Sequence, residues 1–173
     1  STTLLNLPAE ANLRSADGSY TRALNWPCVV MTADCLPILF CNTSGTQVAA
    51  VHAGWQGLSN GIVSKAVAKF ADPASILVWM GPAIGPGAFE VGPDVLAAFD
   101  IDPSHVPQEF TPVNTKPNKW MGNLYALARK ELAGLGVTQV FGGEHCTLSD
   151  SEHFYSHRRD PQSGRMASLI WII

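Results

Sequence analysis

The sequence predicts an α/β domain, α+β-like in detail, spanning residues 1–173 with a mixed β-sheet flanked by helices. Three observations carry that expectation. Apolar runs of strand length alternate along the chain with stretches whose apolar residues recur at helical spacing. Apolar residues make up 46% and charged residues 14% of the chain, against roughly 25% charged in an ordinary soluble domain, which excludes a disordered chain. At 173 residues, such a chain buries a hydrophobic core without disulfides to hold it.

The elements follow in order. The chain opens directly into strand-like sequence, STTLLNLP. Residues 27–41 are dense in Val, Ile, Leu, Phe and Cys, and read as one buried strand interrupted at Ala33–Asp34 and Pro37. NTSGT (42–46) is turn chemistry, and TQVAAVH (46–52) is a second buried strand. Leu58, Ile62, Val63, Ala66, Val67 and Phe70 recur as on one face of a helix of about four turns. Asp72–Pro73 ends that helix, and SILVWM (75–80) is a third strand. GPAIGPGAFEVGPDV (81–95) reads as an ordered loop leading into a short helix, and 100–120, with four prolines, as surface loop. Asn123 caps a helix carrying Leu124, Leu127, Ala128, Leu132 and Leu135, closed by Gly134 and Gly136. VTQVFGG (137–143) is another strand, and 153–160 with 165–173 read as a closing hairpin.

Charge and composition exclude several classes. Eleven basic against 14 acidic residues, a net of −3, argues against a chain that coats nucleic acid. No apolar run reaches the roughly 18 residues of a membrane span, because Asp34 and Pro37 interrupt the longest. The four cysteines, at 28, 35, 41 and 146, lack the short spacings of a zinc ribbon or a secreted disulfide framework, so buried free thiols in a reducing cytoplasm are expected.

Cys35 and His52 form the most informative pair. A hairpin turn centred between Thr43 and Ser44 sets them directly across from each other on one face. Opposed Cβ atoms lie about 4.5–5.5 Å apart, within reach of a shared zinc ion bound at about 2.3 Å by sulfur and 2.0 Å by nitrogen. A register shift of one residue would undo the pairing. The same geometry also describes a packed thiol beside a hydrogen-bonded imidazole, or a Cys–His nucleophile pair. Asp34 reads as a general base, as a group that orients a ligand, or as a local acceptor for backbone amides. Arg158, Arg159 and Arg165 could hold a phosphate or carboxylate, or serve in surface ion pairs. GPAIGPG matches neither phosphate-loop nor dinucleotide fingerprints.

Taken together, TADCLPILF (32–40), VHAGWQGL (51–58), GPAIGPGAFEVG (81–92), CT (146–147) and FYSHRRDPQSGRMASLIWI (154–172) resemble the YfiH family. Its members are also called laccase-domain or multicopper polyphenol oxidase proteins, purine nucleoside phosphorylases and peptidoglycan editing factors. The resemblance covers nearly the whole chain in order. It implies an α/β domain binding one zinc through two His and one Cys, with Cys35 in the ADC motif and His52 in the HAGW motif. The family's third ligand belongs to a Q-V-H-G motif upstream of a segment like STTLLNLP, and a Thr-Arg-x-Gly-Gly segment also lies upstream. Neither has a counterpart in this sequence, which therefore resembles a member truncated at its N-terminus. Water or a second chain would then complete the coordination, with weaker metal binding and reduced activity expected. Gln56 and Asn123 stand where the family commonly has Arg and Asp.

The resemblance implies phosphorolysis of adenosine, inosine and methylthioadenosine by phosphate, together with deamination of adenosine. Asp34 would handle protons, and Arg158, Arg159 and Arg165 would contact the anion. A copper-dependent polyphenol oxidase, with copper in the zinc site, is the second reading. A non-catalytic peptidoglycan quality-control factor acting through partners is the third.

Overall fold

Strands dominate the computed structural model, which describes residues 2–12 and 15–173. Ser1, at the head of the opening strand-like stretch, lies outside the described residues. The chain runs β1 (Leu4–Leu7), β2 (Gly18–Thr21), β3 (Cys28–Thr32), β4 (Leu36–Asn42) and β5 (Val48–Ala53), then α1 (Trp55–Ser59) and α2 (Ile62–Val67). There follow β6 (Ile76–Met80), β7 (Glu90–Val91), α3 (Pro93–Ala98), β8 (Phe110–Pro112), β9 (Trp120–Gly122) and α4 (Leu124–Gly134). β10 (Gln139–Gly142) and β11 (Met166–Ile170) complete the order.

Six strands form one mixed sheet in the order β1-β2-β5-β4-β6-β10. Its two outer pairs are parallel and its inner pairs antiparallel. The central strands are apolar on both faces because both faces are covered. Leu36, Ile38 and Phe40, with Ala49, Val51 and Ala53, pack against Ile62, Val63 and Ala66 of α2 and Leu124, Ala128 and Leu132 of α4. The alternate residues Leu39, Cys41, Val48 and Ala50 meet Cys28, Val30 and Ile172. The latter belong to a two-stranded ribbon of β3 and β11 and the residues just beyond it. Helices, sheet and ribbon therefore stack as three layers. A small sheet, β7-β9-β8, extends the helix side.

The expected α/β class with a mixed sheet holds, and four local expectations do not. The stretch 27–41 is two strands in two sheets. Asp34 takes φ 89°, a left-handed conformation that Asp adopts more readily than most residues, and the chain leaves the ribbon there to enter the main sheet. The four-turn helix is two short ones, parted at Asn60–Gly61, where Gly61 takes φ 73°. Its periodic residues are nonetheless all buried, so the spacing identified the core face but not the break. Region 100–120 is not loop throughout, since β8 and β9 bury Phe110 and Trp120. The closing hairpin is absent: 153–160 is a series of turns, and β11 pairs with β3.

Elsewhere the reading holds. Asn123 caps α4, its side-chain oxygen accepting from the Ala126 N–H at 3.0 Å, and Gly136 turns the chain beyond it at φ 83°.

Candidate functional site

Segments far apart in sequence converge where β3 turns into β4. There a cavity of about 200 Å3 is lined by Asp34 and Cys35 of the turn, Trp55 of α1, Ile84 and Phe89 of the glycine-proline loop, Leu124 of α4, and His157 and Arg158. Asp34 ties these walls together. One carboxylate oxygen accepts from the Thr147 hydroxyl at 2.6 Å. The other accepts from the backbone N–H of Arg158, also at 2.6 Å, and the Asp34 carbonyl accepts from the N–H of Ile84 at 2.9 Å. The carboxylate expected to move protons is thus engaged on both oxygens by protein donors. Those donors come from distant segments, not from the local amides of the alternative reading.

Cys35 and His52 are not directly opposed. The register sets Pro37 across from His52 and Leu36 across from Ala53, because the turn is centred one residue later than expected. The slip is two residues, and Cys35 lies just before the paired stretch, in the turn that leads into β4. A side chain at Gly54 would begin 2.8 Å from the Cys35 sulfur, so the glycine of HAGW makes room for the thiol. Burial pushes the Cys35 thiol up, the Asp34 charge adds to that, and Arg165 opposes it. Burial lowers His52, against the opposing pull of Asp17, which favours the neutral imidazole that binds metals. A thiol and a neutral imidazole suit zinc, and they amount to two of its usual three protein donors. Among the described residues, no three His, Cys, Asp or Glu side chains gather into a metal-binding group. His52 itself faces a second cavity, of about 400 Å3, between β1, β2 and β3.

The three arginines separate. Arg158 lines the smaller cavity, its guanidinium 6.0 Å from the centre of the Phe89 ring and donating to the Glu90 carbonyl at 3.3 Å. Arg165 donates through one nitrogen to the carbonyls of Ser163 and Gly164, and its charge reaches Cys35. Arg159 corrects the expectation. Its guanidinium donates to the carbonyls of Thr147 at 2.8 Å, Leu148 at 2.9 Å and Phe154 at 2.6 Å, so it is a clamp on the protein's own backbone rather than an anion contact.

Sequence reasoning assigned no role to Tyr125, Cys146 or Thr147. The Tyr125 hydroxyl accepts from the N–H of Ala83 at 2.8 Å and lies 2.7 Å from the His145 carbonyl, to which it donates. Burial is the main cause that pushes it up to about 12, so it stays protonated. The Cys146 sulfur accepts from the N–H of Gly85 and the hydroxyl of Ser149, both at 3.2 Å. The one signal in the sequence was the CT pair among the family motifs.

The profile of the family described as "Multi-copper polyphenol oxidoreductase laccase" matches residues 1–173. A purine nucleoside phosphorylase of Haemophilus influenzae is 49% identical over 172 residues, which cover 99% of this chain and 70% of that protein. Purine nucleoside phosphorylase YfiH of Escherichia coli is 50% identical over 161 residues, covering 92% of this chain and 65% of that protein. This chain thus spans about two thirds of the length of these relatives. A crystal structure of a Neisseria meningitidis protein assigned to DUF152 superposes with a TM-score of 0.92 at 44% identity, covering 99% of this chain and 71% of that one.

Proposed function

The chain belongs to the multi-copper polyphenol oxidoreductase laccase family, and from that premise we propose that it is a zinc-dependent purine nucleoside phosphorylase. The names of its relatives support the reaction class. Its substrates are phosphate with adenosine, inosine or methylthioadenosine, and it also deaminates adenosine.

One observation carries the reading: the cavity beside Cys35 joins flat apolar walls, Trp55 and Phe89, to a cationic edge at Arg158. Its volume of about 200 Å3 is below the roughly 300–1,000 Å3 of a pocket that takes a whole drug-sized ligand. It therefore takes one part of a nucleoside. The aromatic walls suit a purine face, and Arg158 and Arg165 suit phosphate.

In phosphorolysis a phosphate oxygen bonds to C1′ as the C1′–N9 bond breaks. The electron pair leaves on the purine, which takes up a proton. Positive charge builds on the ribose, so a phosphate held close by arginine and a polarised leaving base lower the barrier. In deamination the oxygen of water replaces the 6-amino group, which departs as ammonia. Cys35 and His52 are the chain's zinc donors in this reading. Zinc bound there would supply Lewis acidity and a water with its pKa drawn toward about 7.

Two further readings have support of their own. Copper suits the same thiol and imidazole, and the family description speaks for it. A multicopper centre needs many imidazoles, however, and the five histidines, at 52, 105, 145, 153 and 157, form no such group among the described residues. A non-catalytic peptidoglycan quality-control factor draws on the apolar outer face of the ribbon, where Met31, Leu169 and Trp171 are exposed.

Chromatography of adenosine incubated with the chain, with and without phosphate and added zinc, tests the proposal. Phosphate-dependent adenine together with phosphate-independent inosine is expected. If neither product forms, even from a chain extended upstream through a Q-V-H-G segment, the proposal fails and the non-catalytic reading stands.

A further inference from the structure

Thr147 has no exposed surface, and each of its polar groups is bonded to a different segment on or beside the cavity wall. Its hydroxyl donates to Asp34, its N–H donates to the Ala83 carbonyl at 3.0 Å, and its carbonyl accepts from Arg159. Asp34 in turn accepts from the N–H of Arg158 on its second oxygen. The chain of contacts Thr147 hydroxyl, Asp34 carboxylate, Arg158 main chain thus runs from a buried loop to the cationic edge of the cavity.

A carboxylate held at one oxygen only can turn about its bond to Cβ. Held at both, it is fixed in plane and direction. Bonds from a hydroxyl and a backbone amide to a charged acceptor are among the stronger neutral-donor bonds in proteins. We propose that Thr147 is a positioning residue, which through Asp34 fixes the main chain of Arg158 and so sets the guanidinium where it meets the anion. The inference rests on the phosphorolytic reading for its effect on turnover, and on the hydrogen-bond geometry alone for its effect on Arg158. It also recasts Asp34 as the relay of that constraint. A residue chosen only to fill space would serve equally well as valine, which has the same shape. A residue chosen for its hydroxyl would serve as serine.

The test compares T147V and T147S with the unaltered chain by thermal unfolding, by the amide resonance of Arg158 in nitrogen-edited NMR, and by adenosine phosphorolysis with phosphate varied. In the unaltered chain the Arg158 amide proton lies far downfield, as a bond to a carboxylate requires. T147V moves it upfield and raises the KM for phosphate by about tenfold or more, with kcat changing less. T147S restores both. Equal amide shift and equal phosphate KM in T147V and the unaltered chain overturn the proposal. So does a T147S that behaves like T147V. Should T147V not fold, T147A supplies the arm without the hydroxyl. If neither the unaltered chain nor the same chain extended upstream through a Q-V-H-G segment turns over nucleoside, the phosphorylase reading is overturned, and the Arg158 amide then decides the positioning role by itself.

Discussion

Four thiols sit in different surroundings, and burial alone would rank them all as inert. It pushes Cys28, Cys35 and Cys41 up. At Cys146 burial pushes upward too, but the Ser149 hydroxyl and the amides of Ser149, Gly85 and Leu148 together pull the thiol below its ordinary value. The thiolate is the reacting form. A brief exposure to iodoacetamide near neutral pH should therefore alkylate Cys146 first, as read by mass spectrometry of the peptides. Labelling of Cys41 at an equal rate would show that accessibility, not thiolate stability, governs the order. Single residues were legible in the sequence where a motif surrounded them. Cys35 and His52 were singled out by their motifs, and the register expected between them is displaced by two residues, with Pro37 across from His52. Thr147 was marked only by the CT pair, which gives no role, because a threonine in a loop has no periodicity and its partner is 113 residues away.

Between elements, one contact carries a pH dependence. Glu131 of α4 accepts from the N–H of Ser64 in α2 at 3.0 Å. Burial pushes its carboxyl up from the ordinary 4.5, and the Ser64 amide pulls it partly back. The folded protein thus holds this proton more tightly than the unfolded chain does. The stabilisation is complete below 4.5 and declines as pH rises through the higher folded value. E131Q keeps an oxygen to accept from Ser64 and removes the charge. Its urea midpoint relative to the unaltered chain should therefore be higher at about pH 7 than at about pH 4, and a constant difference would count against the burial effect. The elements themselves were well read where periodicity and capping agreed, as in α4 with Asn123. They were misread where one apolar run changes sheets, because a strand in the ribbon and a strand in the main sheet bury the same residue types.

Across the whole molecule, the three layers assign opposite fates to neighbouring residues of β3. Val30 is 5% exposed against the sheet, whereas Met31 is 55% exposed on the outer face. M31T should change stability by no more than about 0.5 kcal/mol, and V30T, which buries a hydroxyl, should cost about 1–3 kcal/mol. Chemical denaturation measures both, and equal costs would contradict the layering. The layer order was not legible in the sequence, because nothing local to β3 or β11 announces a partner more than a hundred residues away.

That long-range pairing bears on how the protein is made. The strands of the main sheet, β1 to β10, all precede the Cys146–Arg158 stretch and β11 in the chain. A nascent chain leaving the ribosome N-terminus first can therefore assemble its sheet and helices while Asp34 still lacks both Thr147 and Arg158. The ribbon has only β3 until β11 emerges, so the hydrogen-bonding edge of β3 must wait for its strand partner. The cavity closes only after β10 has been made, and a polypeptide interrupted shortly after β10 would carry the scaffold without the site.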